Sequence, residues 1–154
     1  MGPALSAEAI TAGRLRVVLL VDAGYSLAVG ALLLAGTWDA LWDALDLPQA
    51  TPALFAQIGG AALWGLAYLH WLASRTPSLM LPVARASALV DALAVVVIVT
   101  WLIHDDLGIG ALGTALLIAA AALSAAFLAV KLIAGIRPGG YGPEPPPPPP
   151  VADR

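Results

Sequence analysis

Four titratable residues stand inside otherwise apolar stretches of this chain: Asp22, His70, Asp91 and Lys131. Carboxylate, imidazole and ammonium groups surrounded by apolar residues can do three kinds of work. They can pair their charges as a structural layer, take up and release protons, or hold the polar part of a bound molecule. A charged side chain near the centre of a membrane helix costs about 2.5–3.5 kcal/mol on insertion scales, so each of these groups is expected to face other polar groups rather than lipid. Their spacing puts them at a common level. Asp22 lies six residues past Arg16, Asp91 six past Arg85, His70 five before Arg75 and Lys131 six before Arg137. Six helical residues rise roughly 9 Å and turn the chain about 600°, so Arg16 faces away from Asp22 and partners must come from other segments. Lys131 and His70 are the candidates, with Tyr25, Ser26, Tyr68 and Ser124 as polar neighbours. Two acids, a lysine and a histidine approach neutrality if one proton is shared, which limits the cost of burial. Plainer roles stand beside these. Lys131 can snorkel to the headgroups, His70 in YLHW can belong to an interfacial aromatic belt, and both acids can lie shallow and hydrated.

The elements that must position these residues follow from composition. Of the 154 residues 60% are hydrophobic and only 11% charged, and the mean hydropathy is +0.90. A soluble domain carries about 25% charged residues, so this chain has too few to coat a water-soluble surface. Four apolar segments approach the ~20 residues that cross a bilayer as a helix. They are expected at about 17–36, 53–73, 86–103 and 108–134, the last tilted or extended past the boundary. Backbone groups in lipid must pair within their own segment, which makes these helices; they are too long and continuous for barrel strands. The expected fold is all-α: an integral membrane four-helix up-down-up-down bundle over residues 16–136, after a cytoplasmic N-terminal segment, 1–15.

Charge sets the expected orientation. Arg14 and Arg16 precede the first segment, Arg75 and Arg85 flank the second connection, and Lys131, Arg137 and Arg154 lie at or beyond the end of the fourth. In a four-crossing chain all seven basic residues then fall on one side, and Asp39, Asp43, Asp46, Asp105 and Asp106 on the other. The positive-inside rule places both termini in the cytoplasm. The first apolar segment exceeds a signal-peptide h-region and contains Asp22, which favours an uncleaved anchor. The opening MGPALS fits a myristoylation pattern only loosely.

Outside the four segments, TWDALWDALDLP alternates Trp38, Leu41, Trp42 and Leu45 with Asp39, Asp43 and Asp46 at helical spacing. Thr37 is suited to cap this helix and Pro48 to stop it. A short amphipathic helix over about 38–46 is expected in the outer headgroup layer, its tryptophans toward the acyl chains. Its acids, with His104, Asp105 and Asp106, are expected to be a solvated face rather than a metal site. The tail 137–154, PGGYGPEPPPPPPVADR after Arg137, is Pro-rich and is expected to be disordered and extended in the cytoplasm.

RVVLLVDAG at 16–24 has an echo in RASALVDAL at 85–93, sharing Arg and Leu-Val-Asp-Ala at one offset. That pattern suits two parallel repeats of one helical hairpin, although such matches also arise by chance in apolar sequence. Small residues four apart, such as Gly24 and Ala28, Ala56 and Gly60, Ala61 and Gly65, and the alanines of the last segment, suit close helix packing. They serve the bundle itself or a seam for another membrane protein equally well.

Several chemistries are excluded. With no cysteine there is no thiol nucleophile, disulfide or thiolate metal site. His70 and His104 belong near opposite membrane faces, which disfavours a bis-histidine haem. No Walker loop, GxSxG elbow or HExxH occurs, nor a basic nucleic-acid patch. No catalytic residue, cofactor or metal is expected.

The first segment also resembles small uncharacterised bacterial four-helix integral membrane proteins. The matching residues are Arg16, Val18, Leu19, Leu20, Asp22, Ala23, Ser26, Leu27, Ala28 and Gly30, then Leu47 and Pro48 before the second segment. The similarity covers roughly residues 14–134; it implies a fold and a location but no activity.

The leading functional expectation is a non-enzymatic accessory or scaffold protein, acting through helix packing with membrane lipids, a membrane-protein partner or a second copy, without nucleic acid. The alternative is a small proton-coupled transporter using Asp22 and Asp91, tuned by His70 and Lys131.

Overall fold

The computed structural model describes residues 7–104 and 108–136, with side chains over 12–134 apart from 105–107. Five helices follow one another: α1 (Ala7–Leu34), α2 (Asp39–Ala44), α3 (Ala53–Arg75), α4 (Pro77–His104) and α5 (Ala111–Ile136). No strand occurs among the described residues. The Pro-rich tail, Asp105 and Asp106 lie outside them.

Three stretches are long and apolar enough to cross a membrane: Ala12–Leu34, Pro77–His104 and Ala111–Ala134. Helix α3 has 23 residues, but Gln57, His70 and three glycines dilute its hydropathy. The distribution of side chains inverts that of a water-soluble domain. Lys131, His70 and Asp22 are among the most deeply buried side chains, while Phe55, Leu89, Val96, Ile103 and Ile133 point outward. Such a continuous apolar exterior is stable only against lipid or another apolar surface. The described residues are thus all-helical, with three apolar helices compatible with a membrane protein.

Glycine sets the closest helix pair. The carbonyl oxygen of Gly30 on α1 is 2.6 Å from where a Cβ on Gly60 of α3 would stand. Trp64 donates its Nε1 hydrogen to the Leu27 carbonyl at 3.2 Å, and Gly36 faces Ala53 and Ala56. As the numbers rise along α1 they fall along α3, so the two run antiparallel. Thr76 alone separates α3 from α4, which opens on Pro77, where a missing N–H is harmless because that amide would have no helical acceptor. Helix α4 thus begins well ahead of residue 86, and Arg85 lies within the helix rather than before it. Pro82 removes one further ladder donor near its start.

Leu15 and Leu19 of α1, Ala73 of α3, Met80 and Ala84 of α4 and Ala134 of α5 form one buried cluster at one end of the molecule. All four long helices meet there. At the other end, Asp46 follows α2 with φ 55°, and its carbonyl accepts the Gly110 amide hydrogen at 3.3 Å. This bond joins the loop after α2 to the start of α5. Trp42 is 6% exposed and Trp38 61%, so only Trp38 faces outward as an interfacial helix requires. Trp42 turns inward and donates to the Ala35 carbonyl at 3.2 Å.

A candidate functional site: the buried ionic cluster and its chamber

Each long helix delivers one titratable side chain to the same interior point. Asp22 comes from α1, His70 from α3, Asp91 from α4 and Lys131 from α5. Their exposures are 1%, 0%, 7% and 1%, which removes them from both lipid and bulk water. Lys131 Nζ donates to Asp91 Oδ2 at 2.6 Å and also to Asp22 Oδ2. The ammonium is therefore turned inward between two carboxylates instead of snorkelling to a surface.

The remaining atoms are only partly satisfied. Ser26, one turn along from Asp22, donates to Asp22 Oδ1 at 3.4 Å. His70 Nδ1 is 3.5 Å from Asp22 Oδ2, within ion-pairing range but misaligned for a hydrogen bond. Neither ring nitrogen of His70 has a hydrogen-bond partner among the described residues. Formally, two carboxylates face one ammonium, leaving one negative charge with an imidazole beside it. Buried charge of this kind is costly unless neutralised, so one proton or one cation is the complement the cluster lacks.

Above the cluster lies a cavity of about 680 Å³. Asp22 and Asp91 form its floor with Tyr25, Ser26 and Ser124. Val97 and Trp101 of α4 and Leu116 and Ala120 of α5 line its sides, Trp42, Leu45 and Pro48 line it beside α2, and it opens outward between partly exposed side chains such as Val97 and Trp101. Tyr25 packs on Phe127 with ring centroids 5.9 Å apart, and Phe127 lies 5.7 Å from the Lys131 ammonium. The volume is in the range of small-molecule sites, which are mostly apolar with a few converging polar groups.

The four residues singled out from spacing are thus brought together, with Ser26 and Ser124 beside them. Tyr68 is not; it lies outside, stacked on Trp71 at 5.9 Å, and Arg75 sits 4.2 Å over the Trp71 ring. The cavity itself had no sequence signal, because its walls are ordinary apolar side chains. Trp42 was legible as a helix-face residue, but nothing in its spacing marked it as a lining residue. The small-residue pairs divide. Ala56 and Gly60 are buried, whereas Gly24, Ala28, Ala61 and Gly65 are exposed.

No protein-family model, curated protein or solved structure matches this chain.

Proposed function

We propose that the protein is a small proton-coupled carrier of a bacterial inner membrane, crossing it four times with both termini in the cytoplasm. The observation that carries this is the position of an incompletely neutralised ionic cluster at the floor of an apolar chamber. A purely structural polar layer needs the charges but not the space above them. Asp22 and Asp91 supply the exchangeable negative charge, Lys131 holds them at a fixed separation, and His70 offers a second proton-accepting group next to Asp22. A proton and a bound cation compete for the same single charge, which is the simplest way to couple their movements. Arg14, Arg16, Arg75 and Arg85 support the orientation, because they cluster at the end of the helices where Leu15, Ala73 and Ala84 pack together. Helix α3, packed against α1 and α4, serves as the least apolar of the four crossings.

The test is proton flux in liposomes holding purified protein. An imposed pH gradient should dissipate faster with the native chain than with Asp91→Asn, while both remain folded. Equal rates, or rates no greater than those of empty liposomes, would remove the carrier assignment.

One observation favours the accessory role instead. Gly24 and Gly65 face open space, with nothing within 4 Å of the point where a Cβ would stand. With Ala28 and Ala61 they leave small-residue surface on the outside of α1 and α3. Close approach of another membrane helix uses such surface. A stoichiometric membrane partner after gentle-detergent purification, with no proton flux, would favour that role.

A further inference from the structure

We propose that the chamber binds a single-chain amphiphile with a primary ammonium head, the head at Asp91 and the alkyl tail running toward α2. The inference rests on the carrier assignment above and names the class of molecule carried. Three observations on the chamber select it.

The first is charge. Asp22, Asp91 and Lys131 sum formally to one negative charge, with His70 from α3 and Tyr25 from α1 completing the titratable groups that face them. Lys131 is already engaged by both carboxylates, so no cation is left for an anionic guest. A carboxylate or sulfate head would meet two acids of its own sign. A monocation restores neutrality.

The second is the hydrogen-bonding character of the floor. Asp91 is the more accessible acid, its side chain 10% exposed against 2% for Asp22. Ser124, Ser26 and Tyr25 add hydroxyl oxygens around it. The carboxylates only accept hydrogen bonds and the hydroxyls can accept as well as donate; charge-assisted bonds to a carboxylate are about twice as strong as neutral ones. A primary ammonium has three N–H donors to offer; a quaternary ammonium has none and would leave the acceptors unpaired.

The third is shape. From Asp91 at the floor to Trp101 in the upper wall is ten residues of one helix, a rise of roughly 15 Å. The carboxylates and hydroxyls lie at the lower end, and the upper end is lined by Trp42, Leu45, Pro48 and Trp101, with the Trp42 N–H already spent on the Ala35 carbonyl. A polar head with one apolar tail fits this division, whereas a compact polar solute would leave the upper walls unfilled.

The experiment measures binding of dodecylamine at pH 7 to the full chain in nanodiscs of zwitterionic lipid, with empty nanodiscs subtracted. Dodecyltrimethylammonium, dodecanol and dodecanoate serve as head-group controls. Dodecylamine is expected to bind saturably at one per chain, at least tenfold more tightly than each control. Asp91→Asn should weaken it at least tenfold. Ala120→Trp, which fills the chamber and leaves every charge in place, should abolish binding without loss of helicity. Ala120→Trp keeps the test valid if Asp91→Asn proves unstable. Equal affinity for dodecanoate or dodecanol overturns the charge selection, and equal affinity for dodecyltrimethylammonium overturns the hydrogen-bonding selection. Full binding to Ala120→Trp overturns the location. Proton flux in liposomes without amine binding overturns the guest class alone; the absence of both overturns the carrier assignment as well.

Discussion

Lys131 and Asp22 stand 109 positions apart in the sequence and meet as an ion pair inside the helices. Through the same ammonium, Asp91 joins them at 2.6 Å. The bridge ties α1, α4 and α5 together. Its removal by parts should behave differently from its removal as a whole.

Lys131→Met leaves two buried carboxylates facing each other. Breaking a buried pair in this way typically costs about 3–5 kcal/mol. The variant should lose most of its resistance to denaturant in mild detergent, measured by helicity or tryptophan fluorescence. Adding Asp22→Asn and Asp91→Asn to that variant should restore a large part of it. Stability unchanged in Lys131→Met would mean that the three groups do not share one buried site.

His70 is fully buried and has no hydrogen-bond partner on either ring nitrogen among the described residues. Replacing an unsatisfied polar side chain by an apolar one of similar size is expected to be neutral or favourable, by about 1 kcal/mol. His70→Leu should therefore match or exceed the native chain in thermal unfolding. A loss of stability above about 1 kcal/mol would indicate that the imidazole makes a bond the fold depends on.

The glycines divide by position. A methyl group on Gly60 would press against the Gly30 carbonyl and Leu34, and overpacking of this kind costs about 1–3 kcal/mol. Gly60→Ala should unfold earlier. Gly24→Ala and Gly65→Ala meet open space and remove helical glycines, so each should hold or raise stability by roughly 0.5–1 kcal/mol. Size-exclusion chromatography with light scattering then separates the roles. A drop in assembly size in those two variants would point to docking through α1 and α3.

Amphiphile binding should depend on pH with a definite sign. The groups facing the site are Asp22 and Tyr25 on α1, His70 on α3, Asp91 on α4 and Lys131 on α5. Protonation of any acid, or of His70, cancels the negative charge that attracts the ammonium. Affinity for dodecylamine should fall as pH falls, and binding should release protons. Calorimetry in two buffers of different ionisation enthalpy reads that release directly; identical heats would rule it out.

Much of the membrane character was already written in the residues. So few charges among so many apolar side chains cannot make a water-soluble surface, and the runs around Val29, Val97 and Leu117 have the length of crossing helices. That Asp22, His70, Asp91 and Lys131 share one level along the helices was also readable, because helical rise converts spacing along the chain into distance. Position along the axis is a property of one helix, and spacing reports it.

Which groups touch is a relation between helices, and it depends on rotation and approach that no single helix encodes. The tertiary structure decided that Lys131 turns inward between two acids, that Tyr68 faces out while Tyr25 faces in, and that Trp42 turns inward to line a chamber. It also decided that the chamber exists. The physical reason is that an empty space between helices arises from how their surfaces fail to interlock, and apolar residues that line such a space have the same chemical signature as those that fill one.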